Sequence, residues 1–570
     1  MDDSKVERKA PDGRPSFFQK YKGPILIIIS ALFFGISKLN SSQSEEIPTV
    51  SEPQCPKTRA ISPNFDKSVD TILYDPSFRE EALKKLVGAV QIPTEIEDEH
   101  PEPKDDIEYY ARFFEFHEYL QETFPLVYKH LKVEKVNEVS LLYTWEGKDQ
   151  SLKPLMLAAH QDVVPVNPDT YDSWKHPPYS GFHEPDTDLV YGRGSLDCKN
   201  SLIGELQAVE QLLKDGFEPT RTVIIALGSD EEAHGSVGAK YLNEVLYKRY
   251  GEDGIYAIVD EGAPVLRIKE NLYFAAPITA EKGYLDLEVV VHGQGGHSSA
   301  PPAHTTIGVA AELISQLEKT PFSANLTPEN PFMQALNCVA EHNDGWPDAV
   351  RKAILESPYD PKQKERVISF LQRDRMLDAL IRTTQAVDII HGGVKSNALP
   401  ELTTFVVNHR IDITSSVNET LEHDLSIAKS VALQLNYGLS LDGKVIIPET
   451  ANGLIEIFEK GGLEPAPHSP TKGSPVWELF AGTIQDTFEN HIFNGTEEID
   501  FYVTPGLITG NTDTKHYWKL TKNIYRFWGA ILEPSVIGTI HSVNESIKLS
   551  SHLSTIAFLY EYIVNASEKL

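Results

Sequence analysis

Several apolar runs in this chain end in side chains that bind metal ions or move protons. They are LMLAAHQD at 155–162, YGRGSLDCK at 191–199, VIIALGSDEE at 223–232, YAIVDE at 256–261 and, far downstream, GTIHSVNES at 538–546. Imidazole is a good zinc ligand. His160 and Asp162 stand one position apart near a strand end and project to the same side, so Asp162 can accept the second ring N–H of His160 and fix its tautomer. Asp197 precedes a helical pattern, ELQAVEQLL, where free backbone donors leave both carboxylate oxygens available to bridge two metals. Glu231 and Glu232 repel one another unless metal coordination by one compensates the pair. The other can then hold a proton and act as general base and later general acid. IVDEG offers Asp260 and Glu261, and the best late candidate for a further ligand is His541. Taken singly, each is an ordinary polar loop, helix cap or surface group; their recurrence at strand ends points to a metal-dependent hydrolase.

The surrounding pattern supplies elements to position them. Apolar strands at about 155–159, 222–228 and 255–259 alternate with helical patterns at 200–215 and 234–247, as expected of parallel strands buried on both faces. Such sheets bind ligands beyond the carboxyl ends of their strands. Helices are expected over 78–94 and 109–131; the aromatic residues of the latter have helical spacing and read as core. GYLDLEVVVHG at 283–293, helical stretches at 304–318 and 375–382, the strand LTTFVVNHRID at 402–412 and a helix near 421–435 read as a separate α+β unit inserted into the first. The division expected is 1–22 tail, 23–39 apolar anchor, 40–66 stalk, 67–282 catalytic domain, 283–446 insertion, and 447–570 the catalytic domain resumed, ending in a helix at 549–565.

A formal charge of −31, from 83 acidic against 52 basic side chains, disfavours nucleic acid and anionic surfaces, which reward clustered Lys and Arg. No phosphate-cradling GxxxxGK[ST] run occurs. ILIIISALFFGI at 25–36, preceded by Lys20 and Lys22, reads as a signal-anchor with residues 1–22 in the cytosol, with a cleaved signal peptide as the rival reading. Even extended to Leu39 it has only about 15 residues, just under the usual lower limit for a span. Beyond it lie six N-x-S/T triplets, at Asn40, Asn325, Asn418, Asn494, Asn544 and Asn565, which would accept N-glycans in a secretory lumen. Three cysteines, Cys55, Cys198 and Cys338, permit one disulfide at most.

Taken together, HQDVVPV, GRGSLDCK, SDEEAHGSVGA, IVDEG, GQGGHSSAPP, GGVKSNALP and HSVNES resemble the M20 family of dinuclear zinc peptidases and aminoacylases. Within it the similarity is to fungal vacuolar carboxypeptidases that act on Gly-X peptides, and it runs from about residue 60 to the C-terminus. The resemblance implies an α/β, mixed-sheet zinc-peptidase catalytic domain with an inserted α+β lid of the dimerisation type, which allows a homodimer. It implies two Zn2+ per subunit. Asp197 would bridge them, with His160 and one acid of the DE pair on one ion and Glu232 and His541 on the other. Asp260 is the acid expected to bind, with Glu261 as the alternative. The resemblance makes Glu231 the base acting on a metal-bridging water, Asp162 the support of His160, and the bond after Asp197 a cis peptide. On the substrate side, it places His297 at the oxyanion, Arg410 at the free C-terminal carboxylate of a short peptide, and Asn397 beside it. Lys199 is expected to pair with an acid, and His409 and His516 to be structural or peripheral. A single-pass type II membrane protein of the vacuole is the location implied. The rival activity is hydrolysis or synthesis of N-acyl amino acids, because the same centre serves any amide beside a carboxylate; the rival of another class is a non-catalytic membrane glycoprotein of the same fold, whose expected signature is loss of the base or a ligand.

Overall fold

The computed structural model describes residues 53–496 and 499–568. Leu155–His160 and Val223–Gly228 are buried at every position and pair in parallel, as uninterrupted apolar runs require. They lie within a ten-stranded mixed sheet. Its main path is Lys132–Val136, Ser140–Trp145, Val223–Gly228, Leu155–His160, Ala257–Lys269, Ile524–Ile531, Ile278–Glu281 and Gly506–Ile508. The four strands from Val223–Gly228 to Ile524–Ile531 are mutually parallel, so their carboxyl ends share one edge.

Alternate side chains of the central strands enter two different cores. Leu157 and Ile225 pack with Leu202 and Leu206 of the helix Lys199–Asp215 and Phe558 of the helix Leu549–Glu568. Met156 and Ile224 point the other way, against Leu242 and Leu246 of Ala239–Tyr250. The stretch expected as one helix over 109–131 is divided. Pro125 opens a second helix, Pro125–His130, after Ala111–Thr123, because proline suits a first turn and interrupts an interior. Phe113, Phe116, Leu120 and Phe124 are buried, so that aromatic run is core.

A second sheet of six strands runs Thr384–Gly392, Leu402–Ile411, Gly283–Gly293, Gly453–Leu463, Gly438–Leu441 and Lys444–Ile447. Burial alternates along Gly283–Gly293 and Leu402–Ile411. The inward set, including Leu287, Val289, Phe405 and Val407, meets Leu313 of Thr306–Lys319 and Val431 of Val417–Leu435. Gly453–Leu463 pairs beside Gly283–Gly293, so this sheet continues past the expected 446. Between its strands, four helices within 331–379 pack instead on Leu272, Phe274, Ala280 and Leu507 of the first sheet. A disulfide joins Cys338 of this helical group to Cys55, and Cys198 is free and buried.

Two expectations are corrected here. The tail and the apolar run at 23–39 lie outside the described residues, and among the described residues no helix is long and apolar enough to cross a membrane. The reading of a transmembrane signal-anchor, with a membrane as partner and a type II membrane location, is corrected to what the described residues show: none of their helices spans a membrane. It rested on the apolarity of a run just under the usual length of a span. Asn565 is also removed as a glycan acceptor. It is fully buried, and its Nδ2 donates to the Ile61 carbonyl at 2.8 Å and to Thr483 Oγ1 at 2.9 Å.

Candidate metal centre

The carboxyl edge of the parallel strands gathers most of the expected ligands. His160 ends its strand and projects Nε2 to within 3.2 Å of Asp197 Oδ1. Asp197 precedes the helix Lys199–Asp215, and its bond to Cys198 is cis. The second oxygen of Asp197 faces the other way, with Oδ2 3.1 Å from His541 Nε2. His541 Nε2 also lies 3.0 Å from Glu232 Oε2. One carboxylate thus stands between two imidazoles, presenting one oxygen to each, which is the disposition a bridging ligand needs.

Glu261, and not Asp260, completes the His160 side, with Oε1 3.4 Å from His160 Nε2. Asp260 belongs to none of the groups whose ligand atoms converge. Its carboxylate interacts instead with Thr512 and the Arg526 charge. Adjacent strand residues point to opposite sides, so only one acid of IVDEG can face His160. The expectation of Asp260 as ligand is therefore corrected to Glu261. His160, Asp197 and Glu232 form one convergent set within 4.8 Å, and His160, Cys198 and Glu261 another. Burial raises the Cys198 thiol well above its usual pKa, and its sulfur accepts the His160 N–H at 3.3 Å.

Asp162 does more than the sequence implied. His160 Nδ1 lies 3.0 Å from the Asp162 backbone carbonyl and 3.4 Å from its Oδ1. The same carboxylate accepts the Glu231 N–H at 3.1 Å and the Glu232 N–H at 3.0 Å. One buried side chain therefore orients the imidazole and holds the turn that presents both glutamates. Glu545, overlooked in the sequence, plays a similar part between distant loops. Its Oε1 accepts the N–H groups of Leu196 (3.1 Å) and Asp197 (3.2 Å), and its Oε2 lies 2.6 Å from Arg193 Nη1. It stands four residues after His541 and so ties the His541 loop to the Asp197 turn. The acid in HSVNES was the only signal for it.

Electrostatics express the crowding of acids. Burial raises Glu231 well above the ordinary carboxylate range, and Glu261 and Glu232 add to that. Burial would also raise Asp197, but the bonds from His160 and His541 outweigh it and hold Asp197 far below. Burial opposes charge on His541, yet Asp197 and Glu232 push it up to about 11. Four acids, Asp197, Glu231, Glu232 and Glu261, thus face two imidazoles. This donor set fits a pair of divalent cations, which compensate charge that two imidazoles alone leave in excess.

The substrate-side residues are placed differently. Arg410 lies on the strand Leu402–Ile411 opposite Tyr284, with its guanidinium carbon 6.0 Å from that ring's centroid. Its charge reaches His234, two residues past Glu232. His297 and Asn397 come together through the short pairing of Gly296–His297 with Ala398–Leu399, where Asn397 O accepts the Ser298 N–H at 3.3 Å. Both are exposed, and no hydrogen bond or ion pair joins either to the metal-site acids. Lys199 pairs with no acid; its ammonium donates to the Ala89 carbonyl at 2.9 Å and the Ile92 carbonyl at 2.5 Å. His409 is buried, 3.0 Å from Asp424, and His516 contacts the His234 carbonyl, so both are structural.

Residues 156–565 match the model of peptidase family M20/M25/M40, and the chain belongs to that family. Among its relatives, carboxypeptidase S of Saccharomyces cerevisiae is 51% identical over 572 residues, covering 98% of each chain. An N-fatty-acyl-amino acid synthase/hydrolase of Homo sapiens is 33% identical, covering 85% of this chain and 87% of the relative. The fold is that of the dipeptidase Dug1p of Saccharomyces cerevisiae (TM-score 0.57, 14% identity, 88% of this chain and 98% of that one). It is equally that of human carnosine dipeptidase 1 (TM-score 0.58, 14% identity, 88% and 99%).

Proposed function

We propose that this protein is a zinc-dependent carboxypeptidase that removes the C-terminal residue from short peptides, Gly-X peptides among them. The observation that carries the chemistry is the Asp197 carboxylate between His160 and His541, flanked by Glu232 and Glu261. The substrate class is supported by the 51% identity to carboxypeptidase S along almost the whole of both chains.

His160, Asp197 and Glu261 would hold one zinc ion, and Asp197, Glu232 and His541 would hold a second. When bound, the two ions supply Lewis acidity and make water acidic enough to ionise near neutral pH. Glu231 takes the proton from the attacking water and passes it to the leaving amine, a task suited to a carboxylate whose proton affinity is raised by burial beside Glu261 and Glu232. Asp162 keeps His160 in one tautomer and the Glu231–Glu232 turn in place. Arg410 receives the free carboxylate of the substrate in paired hydrogen bonds, which selects the last residue of a chain over an internal one. Asn397 assists that orientation, and His297 donates to the carbonyl oxygen as it gains charge. Because both are exposed, they act only when the inserted domain, or that of a second copy, is carried to the edge of the first sheet.

The reading is tested by comparing turnover of N-blocked dipeptides with different C-terminal residues against fatty-acyl amino acids, using the zinc-loaded protein. Blocked dipeptides are expected to be hydrolysed faster. A higher kcat/KM for the fatty-acyl substrates would move the protein to the synthase/hydrolase class.

A further inference from the structure

A second convergence of metal-binding groups lies away from the catalytic edge. Asp486, His491 and Glu561 bring one ligand atom each to within 4.8 Å of one another. Asp486 ends the helix Pro475–Asp486, His491 stands in the π-helical turn Thr487–Ile492, and Glu561 lies in Leu549–Glu568. The last position is about 18 Å along that helix from its start.

Asp486 and Glu561 are fully buried. One oxygen of each is well served. Asp486 Oδ1 accepts from Ser62 Oγ at 2.7 Å and Asn490 Nδ2 at 2.5 Å, and Glu561 Oε2 accepts from Thr487 Oγ1. The remaining oxygen of Asp486, Oδ2, is buried without a hydrogen-bond donor, and that of Glu561, Oε1, has only His491 Nε2 beside it, at 3.3 Å. Such orphaned acceptors are costly unless a ligand satisfies them.

His491 is presented as a ligand. Its Nδ1 lies 3.1 Å from Asp70 Oδ1, while Nε2 faces Glu561 Oε1 at 3.3 Å and Asp66 Oδ2 at 3.9 Å. Donation of Nδ1–H to Asp70 fixes the tautomer whose Nε2 lone pair points into the cluster, which is how metal-binding histidines are held. Four carboxylates, from Asp66, Asp70, Asp486 and Glu561, surround this one imidazole. A proton on His491 would supply one positive charge; a divalent ion supplies two and serves several oxygens at once.

We propose that Asp486, His491 and Glu561, with Asp66 beside them, form a second cation site for a first-row divalent ion of the zinc class, separate from the catalytic pair. Mixed imidazole and carboxylate donors suit such an ion better than calcium or magnesium. Its occupancy clamps the segment bearing Ser62, Asp66 and Asp70 to the terminal helix. The proposal stands on this cluster alone and does not depend on the assignment of the catalytic centre.

The test uses the full chain, stripped with chelator, reloaded with Zn2+ and desalted before metal counting. Asp486→Asn and His491→Gln are each expected to carry one zinc per chain fewer than the unsubstituted protein, with turnover within about twofold of it. Crystals of the unsubstituted, zinc-loaded protein are expected to show anomalous scattering between Asp486, His491 and Glu561. Equal zinc counts in the variants, or no anomalous peak at the cluster, would overturn the proposal and leave a protonated His491 as its counter-charge. Should the variants fail to fold, the anomalous map decides by itself.

Discussion

Glu545→Gln removes one charge of a buried pair and strands the other. Glu545 is fully buried and Arg193 is 4% exposed, with 2.6 Å between Arg193 Nη1 and Glu545 Oε2. Glutamine keeps the shape but offers a single acceptor oxygen, so it cannot serve both Arg193 and the N–H groups of Leu196 and Asp197. Breaking a buried pair from one side costs about 3–5 kcal/mol. For 570 residues unfolding cooperatively, the entropy of unfolding is about 1.2 kcal/mol per K, so the expected fall in Tm is about 3–4 °C. Because Glu545 ties the loops that carry Asp197 and His541, zinc affinity should fall as well, by about 10–100-fold, the usual loss when a group supporting a ligand is removed. Differential scanning calorimetry of the metal-free protein reads the first effect, and competition with a chromophoric chelator the second. The paired replacement Arg193→Met with Glu545→Leu leaves no unpaired charge but still strands the Leu196 and Asp197 N–H groups, so it should restore only part of the Tm and none of the zinc affinity. A single variant with Tm within about 1 °C and unchanged zinc affinity would show that this pair neither stabilises the fold nor positions the ligands.

Other outcomes follow from the same geometry. Glu231→Gln is expected to lower kcat by about 10²–10⁴-fold with both zinc ions retained, and persistence of activity would remove Glu231 as the base. Glu261→Gln should cost the protein zinc, whereas Asp260→Asn should keep the full zinc complement; atomic absorption on the two variants distinguishes them. Acid should destabilise the fold through two buried histidines: burial lowers His117 to about 4 and His552 to about 3, in both cases from about 6.5. Since the unfolded chain binds protons that the folded chain refuses, this stability is complete above about pH 6.5 and is lost as pH falls; at pH 5 the loss is about 2 kcal/mol for each. Urea midpoints between pH 7 and 5 measure it, and His552→Gln should flatten the slope. The Cys55–Cys338 disulfide closes a sequence separation of 283 residues, so Cys55→Ser should cost about 2–5 kcal/mol, seen as a Tm that no longer responds to reductant.

The reading of Asp260 shows where linear information stopped. The strand around 255–259 was legible from its apolar run, and so was the presence of an acid at its end. Which of two adjacent acids faces the centre depends on the direction of each side chain, and that is set by pairing with the neighbouring strands. The three helices within 331–371 were not legible because they pack on the first sheet, through contacts with Leu272, Phe274 and Leu507 that no local periodicity reveals.

By itself, the sequence determined the parallel core, the inserted second sheet and the recurrence of His160, Asp197, Glu231, Glu232 and His541 at the edges of apolar runs, because burial imposes apolar runs and a metal demands particular donors. Only the tertiary structure decided that Glu261 faces His160, that Glu545 joins loops some 350 residues apart, that Asn565 is sealed in the core, and that Asp486, His491 and Glu561 meet at all. Those are relations between side chains distant in sequence, and their distances and directions exist only once the chain has packed.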